Sequence, residues 1–137
     1  MATLNPYLTY DGNCREAMEF YRSCLGGELS LMTYGDSPDG ASLPPAERAK
    51  LMHAHLKTVS FSLMAADQQQ GGPMRRGNDV SLMLYCESEA EIQRLFPLLS
   101  AGGKVDMPLA EQFWGAVFGN FTDRFGINWM MNWDRPA

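Results

Sequence analysis

Apolar and polar residues follow a regular order along the first half of the chain. Residues 4–12 alternate and end in a glycine turn, which predicts a strand. Apolar residues then recur at helical spacing over residues 14–25, and Asn13 precedes them as a predicted N-cap. Residues 27–35 predict a second strand, and residues 52–67 predict two more. The first half therefore reads strand, helix, strand, strand, strand.

The second half shows the same order of patterns. Residues 79–87 predict a strand, and Ser88 with Glu91 predicts a capping box at the start of an apolar helical stripe. A Gly-Gly pair ends this helix, and residues 103–109 predict the next strand. Residues 113–133 then predict two closing strands joined by a tight turn.

The two halves can be laid over each other. The matched positions are Tyr10 with Tyr85, Asn13 with Ser88, Glu16 with Glu91, Phe20 with Leu95, Gly26 with Gly102, and Gly27 with Gly103. Six matches in order indicate duplication of a βαβββ unit. We therefore predict an α+β fold in one domain, residues 1–137, with modules at about 1–67 and about 79–137. Each module is a curved mixed sheet with a helix on its outer face, and the two enclose a cavity.

Composition and charge argue against several classes of partner. A chain of 137 residues that is 45% hydrophobic can bury one substantial core. Its net charge of -5, with no basic cluster beyond Arg75-Arg76, argues against a nucleic-acid partner. No apolar run approaches membrane-spanning length, so no membrane partner is expected. Three cysteines and the absence of a secretion-signal pattern predict a cytoplasmic location.

The two histidines, His53 and His55, stand two residues apart on a predicted strand, so both side chains point to one face. This arrangement could serve as a general base or a partial metal site. The alternative is a half-buried histidine bonded to a backbone group. A metal site would also need a carboxylate, for example from Asp67 or Glu47.

The closing strands supply aromatic candidates. Trp114 and Phe118 are predicted on one strand, and Trp129 or Met130 on the next, as the wall of a ligand cavity. The alternative is that both tryptophans belong to the core.

Short clusters along nearly the whole chain carry a family resemblance. They are Pro6-Tyr7-Leu8 with Gly12, Glu16-Ala17 with Phe20-Tyr21, Asp36-Ser37-Pro38, His53-Ala54, Phe113-Trp114-Gly115 with Phe118-Gly119, and Asp123-Arg124-Phe125-Gly126 with Trp129. In these clusters the chain resembles the PhnB-like branch of the vicinal oxygen chelate superfamily, which comprises glyoxalases, bleomycin resistance proteins and dihydroxybiphenyl dioxygenases. The resemblance implies a homodimer, with or without exchange of modules between chains.

Enzymes of this superfamily hold a divalent metal with one side chain from the first and last strand of each module, typically His, Glu or Gln. The corresponding positions here are Pro6 with its neighbours Asn5 and Tyr7, then residues 63–65, Ser81 and Met130. None of these is His, Glu or Asp, so neither the superfamily metal nor another cofactor is expected. Loss of all four ligands, rather than of one, indicates a site that works without this metal.

The resulting hypothesis is a glyoxalase-like protein that binds an unidentified small molecule. The predicted ligand-binding residues are Tyr7, His53, His55, Trp114, Phe118, Trp129 and Met130. One alternative is a metal-dependent lyase, isomerase or dioxygenase, and another is a binding protein that sequesters an antibiotic. Whether the protein is an enzyme stays open. The branch is often labelled a ubiquinone-pathway methyltransferase, but the chain has no Gly-rich strand-to-helix loop for adenosylmethionine.

Overall fold

The computed structural model describes residues 1–69 and 71–137, which form two compact units, Met1–Met74 and Arg75–Ala137. Gln70, in the stretch between the two predicted modules, lies outside the described residues. Within the described part of the chain, no helix is long and apolar enough to cross a membrane.

The first unit is a four-stranded sheet with one long helix. Its elements are β1 (Tyr7–Tyr10), α1 (Cys14–Leu25), β2 (Glu28–Thr33), α2 (Pro45–Arg48), β3 (Leu51–Lys57) and β4 (Ser62–Asp67). The strand order is β1-β4-β3-β2, with β1 parallel to β4 and the other pairs antiparallel. The predicted βαβββ order of this module is confirmed.

The second unit repeats this topology. Its elements are β5 (Leu82–Tyr85), α3 (Glu89–Ser100), β6 (Lys104–Glu111), β7 (Ala116–Thr122) and β8 (Asn128–Asp134). The strand order is β5-β8-β7-β6, again with the outer first strand parallel to the last. The α+β prediction of two matching modules, each a mixed sheet with a helix, is therefore confirmed.

Alternation along the central strands of the first sheet decides which face meets α1. Ala54 and Leu56 of β3 are fully buried, as is Ala65 of β4. They face the same side as Met18 and Tyr21 of α1, which are also fully buried. This apolar layer is the core of the unit and leaves the other face of the sheet without a helix.

The start of α1 differs from the sequence prediction. Asn13 occupies the N-cap position, but its side chain makes no capping hydrogen bond. The carboxylate of Asp67, at the end of β4, instead accepts hydrogen bonds from the backbone N–H groups of Gly12 at 2.8 Å and Cys14 at 3.0 Å. The cap comes from a distant strand, which local spacing along the sequence does not show.

Residues 34–50 are more structured than the loop that their composition predicts. Two 3₁₀ turns, Tyr34–Asp36 and Gly40–Ser42, precede the short helix α2. Thr33 and Asp36 form a reciprocal capping box around the first turn. The Asp36 carboxylate accepts a hydrogen bond from the backbone of Thr33, which lowers the pKa of Asp36.

The core of the second unit is aromatic. Phe121 of β7 stacks on Trp129 of β8 and meets Phe96 of α3 edge-on. Phe96 also lies where a side chain at Gly119 would project, so this glycine lets α3 pack closely on the sheet. Ser88 caps α3 as predicted, by accepting a hydrogen bond from the backbone N–H of Glu91. The other half of the predicted capping box differs, because the Glu91 carboxylate accepts from the backbone N–H of Glu87.

Candidate functional site

The helix-free side of the first sheet, called here the open face, collects polar and sulfur-containing side chains. By strand alternation its members are Tyr7, Thr9, Glu28, Ser30, Met32, His53, His55, Lys57, Ser62, Met64 and Ala66. One cross-strand row joins Tyr7, Met64, His55 and Ser30, which are consecutive register partners. This face is chemically unlike the apolar face that packs on α1.

A β-bulge sets the direction of the two histidines. Met32 pairs with His53 but the next residue of β2, Thr33, pairs with Leu51, so Met52 is an extra residue in β3. Past the bulge, Ala54 and Leu56 alternate into the core while His53 and His55 remain partly accessible. The prediction that both histidines share one face agrees with this placement.

Tyr7 and His53 are hydrogen-bonded neighbours on the open face. The Tyr7 hydroxyl lies 3.1 Å from His53 Nδ1, and the ring centroids are 5.7 Å apart. Partial burial, reinforced by the nearby Cys14 and Tyr34, raises the pKa of the Tyr7 hydroxyl. Tyr7 therefore stays a neutral phenol that can donate to the imidazole.

His55 has a hydroxyl partner of its own. Its Nε2 lies 2.9 Å from Ser62 Oγ on β4, and its ring meets that of His53 edge-on with centroids 6.3 Å apart. Each imidazole thus has one nitrogen bonded to a hydroxyl, which leaves the other, His53 Nε2 or His55 Nδ1, for a ligand.

The donor set does not fit the superfamily metal. Among residues 1–69 and 71–137, no three His, Cys, Asp or Glu side chains converge as a metal site would require. Asp67 accepts three backbone hydrogen bonds, including one from Leu51 at 2.9 Å, and Glu47 pairs with Lys50 at 3.2 Å. Neither carboxylate joins the two histidines.

The three cysteines are buried, and the thiols of Cys14 and Cys86 are poor nucleophiles. Burial raises the pKa of the Cys14 thiol to about 12 and that of Cys86 to about 11. Both are therefore protonated near neutral pH, and only the thiolate is a strong nucleophile. We assign Cys14 to the packing within the first unit and Cys86 to the packing within the second.

The second sheet has a helix-free face of a different character. Phe118 of β7 and Met130 of β8 are half-buried on this side, beside Met83 and Tyr85 of β5. Met83 and Tyr85 are 44% and 64% exposed. This side of the second sheet is called here the second face. It also carries Asn120, the register partner of Met130, and Asn132, the register partner of Tyr85 and Phe118. It therefore combines aromatic and thioether groups with amides, whereas the open face of the first sheet carries imidazole and hydroxyl groups.

Neither of the two tryptophans predicted for the cavity wall lies on the second face. Trp129 is only 4% exposed on the helix side of β8, and its indole N–H donates to Asp123 at 2.8 Å. Trp114 is not on a strand, which corrects the prediction that it shares one with Phe118. The chain reverses at Gly115, whose φ is +93°, and β7 begins only at Ala116. Trp114 is 57% exposed at the tip of this turn.

Sequence reasoning missed the neighbours of the histidines. Ser62 and Met64 of β4 lie beside His55, and Lys57 follows on the same side of β3. Alternation in the run from His53 to Lys57 could have identified the lysine. The contributions of β4 depend on strand register, which the local sequence does not give.

The chain matches a known protein family and a relative of similar length. The model of the Glyoxalase/Bleomycin resistance protein/Dioxygenase superfamily matches residues 3–131. Protein YjdN of Escherichia coli (strain K12) is 33% identical over 138 residues, which cover 94% of this chain and 93% of YjdN.

Two solved structures are similar over almost the whole chain. Protein PA1353 from Pseudomonas aeruginosa has a TM-score of 0.87 and 44% identity, covering 99% of this chain and 100% of its own. The PhnB protein from Bacillus cereus has a TM-score of 0.80 and 26% identity, covering 96% and 99%. Its name proposes a 3-demethylubiquinone-9 3-methyltransferase activity for that protein.

Proposed function

Since this chain belongs to the glyoxalase/bleomycin resistance/dioxygenase superfamily, with a PhnB-like structural neighbour, we propose that it binds a small molecule without the superfamily metal. The proposed site is the open face of the first sheet. Tyr7, His53 and His55 carry the recognition, and Met64 and Ser62 complete it.

One observation supports this site above others. Two hydroxyl–imidazole pairs, Tyr7 with His53 and Ser62 with His55, lie side by side on the face of the sheet opposite to the buried layer of Ala54, Leu56 and Ala65. Core packing does not require such groups, because the apolar face of the same strands already supplies the core. Rings and hydrogen-bonding groups converging on an accessible surface are typical of a ligand site.

A metal-dependent reaction is less well supported, because the four superfamily ligand positions carry no His, Glu or Asp. We expect the purified protein to retain no tightly bound Ni, Zn, Fe or Mn after dialysis, as measured by inductively coupled plasma mass spectrometry. Stoichiometric metal that survives dialysis, and that persists when His53 and His55 are both replaced by glutamine, would place a metal at the superfamily positions and contradict this proposal.

The second candidate function, sequestration of an apolar antibiotic, draws on the second face. Met83, Phe118 and Met130 offer a soft and aromatic surface, since methionine side chains adapt to irregular ligands. Such a binder would use stacking and burial and would not need the histidines. Trp114, at an exposed turn, and Trp129, in the core, have no part in either proposal.

A ligand screen by thermal shift tests the proposed site. A compound that binds the folded protein raises its melting temperature by mass action, even when its chemistry is unknown in advance. We expect hits whose stabilisation is lost in Tyr7→Phe, which removes one hydroxyl from the open face. Tyr85→Phe removes the same group from the second face and should keep the stabilisation. Stabilisation that Tyr7→Phe keeps in full would count against the open face and favour the second candidate.

The remaining expectations stay proposals. A homodimer, with or without exchanged modules, is inferred from the superfamily resemblance, and light scattering at micromolar concentration tests it. A cytoplasmic location and the absence of nucleic-acid and membrane partners rest on composition and charge.

A further inference from the structure

Three nitrogen-bearing side chains follow one another on the open face. His53, His55 and Lys57 occupy alternate positions of β3 past the Met52 bulge, so they project from the same side of the strand. The last of them is exposed, and its register partners are Glu28 on β2 and Ser62 on β4. The face therefore carries a line of groups able to donate hydrogen bonds.

The hydrogen bond to Tyr7 determines what His53 offers a ligand. A phenol O–H is more acidic than a neutral imidazole N–H, so the favoured arrangement has Tyr7 donating to His53 Nδ1. The raised pKa of Tyr7 keeps that proton on the phenol. Nε2 of His53 then carries the ring proton and presents an N–H donor to the ligand.

Charge on this face differs from the charge of the whole chain. The protein carries a net charge of -5, yet the described strands of the first sheet place a single carboxylate, Glu28, on the open face. Glu28 lies at the outer strand of the sheet, away from Tyr7. The two imidazoles thus have hydroxyl neighbours, and the one lysine of this face lies opposite its one carboxylate, Glu28.

Two methionines flank the donors. Met64 lies between Tyr7 and His55 in the cross-strand row, and Met32 pairs with His53 and is 46% exposed. Their thioethers and the ring of Tyr7 offer contact surface for an apolar group.

We propose that the open face of the first sheet binds a small organic acid. Its oxyanion accepts hydrogen bonds from His53, His55 and Lys57, and its apolar body contacts Met32, Met64 and the ring of Tyr7. This inference rests on the proposed function and adds the charge and class of the ligand. It requires no metal, because the donors are imidazole and ammonium N–H groups.

Benzoate and benzyl alcohol provide a matched pair of probes, since both carry one phenyl ring and only benzoate is charged. Binding is followed by NMR of protein with ¹³C-labelled methionine methyl groups and ¹⁵N-labelled histidine. We expect benzoate to shift the signals of Met32, Met64, His53 and His55, with an affinity about tenfold or more above that of benzyl alcohol.

Three charge variants test the cause of that preference. Lys57→Gln should weaken benzoate binding about threefold to fivefold, and Glu28→Gln should strengthen it, while neither changes benzyl alcohol binding. Lys104→Gln, at an 83% exposed lysine of β6, serves as the control and should change nothing. All three positions are exposed, so each variant should keep the melting temperature of the parent protein.

The outcomes separate the two proposals. Equal affinity for both probes at the same signals overturns the inference about charge and leaves the proposed binding face intact. Benzoate shifts confined to Met83 and Met130, or no shifts at all, overturn the organic-acid inference. In that case the thermal-shift screen alone decides the proposed function.

Discussion

Replacing Asp67 by alanine is expected to lower the free energy of unfolding by about 3 to 5 kcal/mol. The carboxylate is only 2% exposed and accepts three hydrogen bonds from backbone N–H groups. Two come from Gly12 and Cys14 at the start of α1, and the third comes from Leu51 at the start of β3. Alanine leaves all three donors without this partner, and those of Cys14 and Leu51 are buried.

Urea unfolding followed by circular dichroism measures this loss. Asp67→Asn should lower the free energy of unfolding by less than Asp67→Ala does. The amide oxygen of asparagine can still accept the hydrogen bonds from Gly12 and Cys14, although its NH₂ group then faces the N–H of Leu51. Asp11→Ala, at an exposed position of the neighbouring turn, should change stability by less than about 0.5 kcal/mol. An Asp67→Ala protein as stable as the Asp11→Ala control would show that this carboxylate does not anchor the unit.

The second large effect is expected at Trp129, whose replacement by alanine should cost about 3 to 5 kcal/mol. Its indole is 4% exposed, stacks on Phe121 and donates to the buried Asp123 carboxylate. The variant therefore creates a cavity and also removes a hydrogen-bond partner from a buried charged group.

Trp114→Ala is the matched comparison, because it removes the same side chain from an exposed turn. We expect it to cost less than about 1 kcal/mol. The loss of unfolding free energy in Trp129→Phe should lie between these two values, since phenylalanine retains most of the ring volume but lacks the indole N–H. Equal losses of unfolding free energy for Trp114→Ala and Trp129→Ala in urea titrations would contradict the placement of Trp129 in the core and of Trp114 at the turn.

Much of the fold could be predicted because each element carries its own periodic pattern. In the described part of the chain, eight strands and two long helices appear in the predicted order. The duplicated Gly-Gly pairs that follow α1 and α3 are visible in the sequence itself. Alternation also indicated that His53 and His55 share one face, since strand geometry alone requires it.

Long-range packing decides what the sequence did not show. Both faces of the run around Trp129 are apolar, so alternation could separate Trp129 from Met130 but could not say which one meets α3. Phe96 and Phe121 settle this by packing on the tryptophan side. The cap that Asp67 provides and the pairing of His55 with Ser62 likewise depend on strand register, which brings distant residues together.

The central claim is that the open face of the first sheet is a small-molecule site. Its most direct test is backbone and side-chain NMR of ¹⁵N-labelled protein, titrated with the compound that gives the largest thermal shift. We expect the largest signal changes at Tyr7, His53, His55 and Met64, and weaker binding in Tyr7→Phe. Changes confined to the second unit, around Met83 and Met130, would contradict it.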